Sequence, residues 1–226
     1  MSRIPVRSLS KNQLIWMGEN KCKHGHLYLS HYNCYINEVR GNLRTCIFDI
    51  ESGGSLTADW GFMLTYAIKE FNGKTHCDCI TPKEIRKQTR DKRLVRECCD
   101  RLNEFDIIVV YYGKDAPNRH DLPFLRTRAV KWGIDNFPIY KQIRVIDVYD
   151  IIKCKFKFAR RSMDNACKLF GIEGVNKPWI PDVWHNAMAG DQKGTDYIME
   201  HNIDDVERLE KLYKAVIRYR ETFTTT

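Results

Sequence analysis

The sequence predicts an α/β fold, a mixed β-sheet flanked by helices, preceded by a small Cys/His-rich segment. Three observations lead there. From about residue 41 onward, apolar runs of strand length alternate with helical patterns. Phe105 to Tyr112 (FDIIVVYY) is continuously apolar, as a strand covered on both faces would be. Before residue 41, Cys22, His24, His26, His31 and Cys34 crowd into thirteen positions, a composition found nowhere later in the chain. The expected units are therefore residues 1–40 and 41–226.

In the first unit, Cys22, His26, His31 and Cys34 are the expected ligands of one structural Zn²⁺, with His24 as the spare or substitute histidine. A tetrahedral zinc site needs four N or S ligands, and a segment this short rarely buries enough core to fold alone. The second unit begins with three strands, Leu43 to Ile50, Phe62 to Ile68 and Gly73 to Ile80, turned at Gly53-Gly54 and Asn72-Gly73 as an antiparallel meander. His76-Cys77-Asp78-Cys79 alternates its side chains, so it reads as a half-buried strand and not a metal cluster. Thr81-Pro82-Lys83-Glu84 carries a helix start: a Thr cap, Pro in the first turn and Glu closing a capping box. That helix, broken near Asp91, runs to about Asn103. Phe105 to Tyr112 is a strand parallel to the first, followed by a loop and a helix from about Leu122 to Gly133. Arg144 to Asp147 is a short strand and Ser162 to Phe170 a helix ended by Gly171. Residues 171–185 read as a loop, and the last helix spans about Thr195 to Arg220.

The 226 residues carry a formal charge of +8, which favours a polyanionic partner such as nucleic acid. Residues 83–101 hold eight Lys or Arg against four acids, whereas 153–161 hold five and no acid. Lys153, Lys155, Lys157, Arg160 and Arg161 are thus the better candidates for phosphate contact. With 43% hydrophobic residues the chain has enough apolar material for a core. No run approaches membrane-span length, and Met1 to Lys11 lacks the apolar stretch of a secretory signal. An odd count of nine cysteines suits reduced thiols. A cytoplasmic location, with no membrane partner, is the expectation.

Asp49 and Glu51 stand at i and i+2 in the first strand, so both point to one face near its C-terminal end. Like charges there repel and lose water, a cost that a hard divalent cation would remove. Asp121 opens the helix after FDIIVVYY, beyond a strand C-terminus where α/β sheets build their sites, though a plain helix N-cap is its other role. Asp205 lies in line with Leu209, Leu212 and Val216 on the last helix, and His201 sits one turn earlier on the same side.

Taken together, these residues resemble the motifs of the DEDD superfamily of 3′–5′ exonucleases, on the ribonuclease H-like fold. Within it they are most similar to the branch related to the proofreading domains of family B DNA polymerases. Phe48-Asp49-Ile50-Glu51 matches the first motif. His120-Asp121-Leu122-Pro123-Phe124 through Arg128-Ala129 matches the second. His201-Asn202-Ile203-Asp204-Asp205-Val206 matches the third. The match spans about residues 43 to 216. His120 replaces a usual Phe, and His201 replaces the Tyr four residues before the last Asp; a sister branch has His five residues before it.

The resemblance implies a two-metal hydrolase of phosphodiester bonds. Asp49, Glu51, Asp121 and Asp205 would hold two Mg²⁺ or Mn²⁺, and His201 would serve as general base with a near-neutral pKa. Single-stranded or 3′-ended nucleic acid is the implied substrate, DNA favoured over RNA, with replication or repair proteins as partners. A stand-alone accessory of viral or bacterial replication or repair fits this picture. Two other readings stay open at this point: a silent nucleic-acid-binding adaptor, and an endonuclease or RNA 3′-end trimmer on the same fold.

Overall fold

The computed structural model describes residue 9 and residues 11–39, 43–87, 89–138, 143–175 and 177–220. They fall into two compact units, one within the first 43 residues and one spanning Arg44–Arg220. The boundary expected between residues 40 and 41 lies outside the described residues.

The first unit holds α1 (Lys11–Glu19), a one-turn helix α2 (Tyr32–Cys34) and a π-helical turn (Tyr35–Val39). None of these was expected from the sequence, because the segment lacks a strong apolar period. Its core is small: Leu9, Met17, Cys22, Tyr28 and Tyr35. Trp16 stacks on Tyr28, ring centroids 5.4 Å apart.

The second unit opens with the meander, β1 (Thr45–Gly53), β2 (Phe62–Glu70) and β3 (Thr75–Cys79). β3 is half-buried along its length, as its alternation requires. Next come α3 (Pro82–Ile85), with the expected capping box of Thr81 and Glu84, and after a break α4 (Lys92–Leu102). β4 (Ile107–Val110), α5 (Asp121–Lys131), β5 (Arg144–Asp147) and α6 (Val148–Lys155) follow. The chain continues through α7 (Met163–Leu169), α8 (Pro181–Met188) and α9 (Gln192–Val216). No described helix is long and apolar enough to cross a membrane.

The five strands run in the order β3-β2-β1-β4-β5. β1 pairs antiparallel with β2 and parallel with β4, and β4 pairs parallel with β5. β1 is central, and strand alternation divides its side chains between two cores. Cys46, Phe48 and Ile50 pack with Leu94, Cys98, Leu122 and Leu125 of α4 and α5. Ile47 packs on the other face with Ile151, Ile152, Val206 and Leu209 of α6 and α9. Asp49 and Glu51 share the parity of Ile47, so they face α9. The register shifts between Glu51 and Ser52, a bulge of the kind that re-aims side chains beside functional sites.

In the second unit two further helices differ from expectation. α6 lies where no helix was expected, and α8 occupies part of the expected 171–185 loop. Both carry legible starts: the Asp147 side chain caps α6 through the Tyr149 N–H, and Pro181 opens α8. One buried polar group, Asp91, is well satisfied. Asp91 accepts from Arg128, Trp132 Nε1 and the Met63 N–H, tying β2 to α4 and α5. A buried ion pair is tolerable only when its remaining lone pairs are filled in this way.

Candidate active site

Three elements bring the acidic residues together: β1 supplies Asp49 and Glu51, the start of α5 supplies Asp121, and α9 supplies Asp205 and His201. His201 Nε2 lies 3.2 Å from Glu51 Oε1 and 3.5 Å from Asp205 Oδ2. These three residues offer ligand atoms within 4.8 Å of one another. His201 Nδ1 bonds the Lys177 carbonyl, and the Trp184 ring meets the imidazole edge-on at 5.4 Å.

Asp49 is held from α9. Asn202, fully buried, donates its amide to Asp49 Oδ2 at 2.5 Å and accepts from Thr65 Oγ1 at 3.2 Å. Asn202 was missed in the sequence reading. Its signal was there: it leads Val206, Leu209, Tyr213 and Val216 on the buried stripe of α9, where a polar side chain must find a partner. The neighbouring carboxylates of α9 divide their work. Asp204 is buried and accepts from the Val175 N–H, holding the segment before α8, while Asp205 turns to His201 and Arg208.

Asp121 sits at the first position of α5, buried, and its Oδ2 has no hydrogen-bond partner among the described residues. Gly113 is what admits it. A Cβ on Gly113 would stand 1.9 Å from that oxygen. The turn carrying Gly113 is held by Asp147, which accepts from the N–H groups of Tyr112, Lys114 and Tyr149. Tyr112 adopts φ of +61°, a strained conformation for an aromatic residue, and the Arg119 guanidinium lies 4.3 Å from its ring centroid. Gly113→Ala should therefore displace Asp121 and lower any activity that needs it by at least about 10²-fold, a loss readable in kcat against an unchanged circular-dichroism spectrum.

The electrostatics follow from crowding. Burial raises the Asp49 carboxyl well above the usual range, reinforced by the charges of Asp121, Glu51 and Asp205, while the Asn202 bond opposes. Burial likewise raises Asp121, with Asp147, Glu51 and Asp205 adding to it. Asp205 is pushed up to about 6, by burial first, with His201 pulling back and Glu51 pushing on. His201 is raised as well. Burial works against its charged form, but the Glu51 bond and the charges of Glu51 and Asp205 outweigh that and raise it to about 9. Without a cation, the two carboxylates facing the imidazole favour its charged form. Carboxylates raised by burial and by one another's charge, one with an orphaned buried oxygen, form the donor set that a hard divalent cation fits.

His120, in place of the usual Phe, packs beside Phe124 with ring centroids 5.2 Å apart and reaches Ser52 Oγ at 3.4 Å. Of the first basic run, two members are held in ion pairs: Arg93 with Asp78, Glu84 and Glu97, and Arg101 with Glu104; Lys83, Arg86, Lys87, Arg90 and Arg96 are exposed. Lys153, Lys155, Lys157, Arg160 and Arg161 are exposed on α6 and the segment leading to α7.

The N-terminal cluster differs from expectation in one ligand. Cys22, His24, His31 and Cys34 bring their ligand atoms within 4.8 Å of one another. His26, expected in the set, instead stacks on His31 with ring centroids 4.0 Å apart. The cause is a tight turn. Gly25 takes φ of +81° between the two histidines, closed by bonds from the Gly25 N–H to the Cys22 carbonyl and from the Cys22 N–H to the His26 carbonyl. That turn folds His24 back toward Cys22.

The fold and the arrangement of acids define a class, and a family model described as RNase_H superfamily (RNase_H_2) matches residues 46–217. The chain belongs to the ribonuclease H superfamily. It is 26% identical over 175 residues to a DNA polymerase of Methanocaldococcus jannaschii, an alignment covering 68% of this chain and 9% of that protein. In structure it is similar to the family B DNA polymerase of the archaeon Pyrobaculum calidifontis, with a TM-score of 0.61 and 21% identity, over 77% of this chain and 24% of that one. The chain thus corresponds to a small part of these polymerases, in agreement with the resemblance read from its motifs.

Proposed function

We propose that the chain is a metal-dependent 3′–5′ exonuclease acting on single-stranded or 3′-ended nucleic acid, DNA in preference to RNA. The observation that carries this is the clustering of Asp49, Glu51, Asp121 and Asp205, with His201 against Glu51 and Asp205 and Asp121 Oδ2 buried and without a hydrogen-bond partner among the described residues. Kinship with DNA polymerases supports DNA as the substrate.

Asp49, Glu51, Asp121 and Asp205 would hold two Mg²⁺ or Mn²⁺. Such cations, when bound, supply charge stabilisation for the reacting phosphate and a lowered pKa for water. Asn202 fixes the Asp49 carboxylate through its buried amide. His201 moves the proton. Its Nδ1 is engaged by the Lys177 carbonyl, so Nε2 is the atom that exchanges. Were Glu51 and Asp205 to hold cations, their pull on the imidazole would be offset, leaving burial against the Lys177 bond. Burial would then favour the neutral ring, and Nε2 would be the atom to take a proton from the attacking water. The exposed Lys153, Lys155, Lys157, Arg160 and Arg161 would follow the phosphate backbone.

The test uses single-stranded DNA and RNA labelled at the 5′ end, incubated with Mg²⁺ or Mn²⁺. A ladder shortening from the 3′ end, faster on DNA, is expected. Internal fragments without a ladder would make the chain an endonuclease. Binding without any cleavage would make it a silent adaptor.

A further inference from the structure

We propose that the N-terminal unit is built around one structural Zn²⁺ held by Cys22 Sγ, His24 Nδ1, His31 Nδ1 and Cys34 Sγ. The distances carry the proposal. Cys34 Sγ lies 3.3 Å from His24 Nδ1 and 3.8 Å from His31 Nδ1, and Cys22 Sγ lies 3.9 Å from His24 Nδ1. Zn–S bonds of about 2.3 Å and Zn–N bonds of about 2.05 Å at tetrahedral angles place S and N about 3.6 Å apart. The observed separations bracket that value. They were reached with no carboxylate in the set, which favours a soft-to-borderline ion over Mg²⁺ or Mn²⁺.

The surroundings fit the same ion. The turn at Gly25 carries Cys22 and His24, and α2 with the residue before it carries His31 and Cys34, so one ion would tie the two halves of the unit together. Glu38 supports the turn from outside, accepting from the Lys23 N–H at 3.0 Å and from Tyr28 Oη at 3.2 Å. The core beneath consists of a few side chains around Met17, Tyr28 and Tyr35. A unit of this size seldom has enough buried area to fold by itself, and metal binding supplies the missing free energy. Four protein ligands close the coordination sphere, so the ion is structural and has no open position for substrate.

The test uses the full chain, purified without chelator. Its zinc content is measured by mass spectrometry in an Asp205→Ala background, which breaks the Glu51–His201–Asp205 group of the other unit so that zinc held there is not counted. One zinc per chain is expected in that background and with His26→Ala added. Loss is expected with Cys22→Ser or His24→Ala added. Because these variants may lose zinc only by unfolding the unit, His24→Cys provides a control. It should retain the metal and, with Co²⁺ substituted, show stronger thiolate charge-transfer absorption than the unsubstituted site. No zinc in the parent chain, a six-coordinate Co²⁺ spectrum, or retention by His24→Ala with loss by His26→Ala would each overturn the proposal.

Discussion

Asp205→Ala should lower phosphodiester cleavage by at least about 10²–10³-fold, the scale of losing one preorganised electrostatic group in a water-poor site, while leaving the fold intact. The structure explains why stability survives. Asp205 is a rim residue of the cluster, its side chain 18% exposed, and its partners keep others. Arg208 still pairs with Asp164 and lies near Asp204, and His201 still faces Glu51. Asp49→Ala should lose as much activity, but it strands the Asn202 amide inside the fold, so its stability is the less clean comparison. His201→Ala should slow cleavage by about 10²–10⁴-fold, the usual effect of a general base. Single-turnover rates beside thermal unfolding curves separate the two effects. Wild-type rates in Asp49→Ala and Asp205→Ala would exclude the nuclease reading.

The second large effect is on stability. In the absence of divalent cations, Asp121→Asn should raise Tm by about 2–8 °C, because 1 kcal/mol corresponds to about 2–4 °C in a domain of this size. Asp121 is buried among Asp147, Glu51 and Asp205, so removing its charge relieves repulsion. The sign is fixed by linkage. A carboxylate raised in the folded state contributes stability that is present below its unfolded pKa and lost as pH rises through the folded value, about 6 for Asp205. His201, raised to about 9, contributes stability below its unfolded pKa and loses it as pH rises through 9. The cation-free protein should therefore lose stability as pH rises from about 4 through about 6, the range of Asp205. Mg²⁺ or Mn²⁺ should restore it most above pH 6, by about 2.7 kcal/mol at a hundred times Kd, and should restore less in Asp121→Asn. A lower Tm for Asp121→Asn in chelator, or a cation effect independent of pH, would contradict this account.

Much of the site was legible because its signals are short-range. Alternation along β1 put Asp49 and Glu51 on one face, and helical spacing put His201 beside Asp205. Position after a strand C-terminus marked Asp121, and Gly113 was needed to let it in. What escaped depended on contacts between elements. Asn202 bonds across from α9 to β1 and β2, and no spacing in the sequence states that partner. Asp147 organises the turn after β4 from the end of β5, through backbone groups that have no sequence signature. His24 and His26 look interchangeable as letters, and the positive φ of Gly25 chooses between them. The contact of His201 with Glu51, 150 positions away in the chain, likewise has no local signal.

The claim on which the rest stands is that Asp49, Glu51, Asp121 and Asp205 form a divalent-cation site. Crystals of the protein soaked in Mn²⁺ and measured at the manganese absorption edge test it most directly. Anomalous density in contact with Asp49 and with carboxylates of at least two of β1, α5 and α9 is the predicted result. Manganese bound elsewhere on the protein, with no density among these four carboxylates, would contradict it.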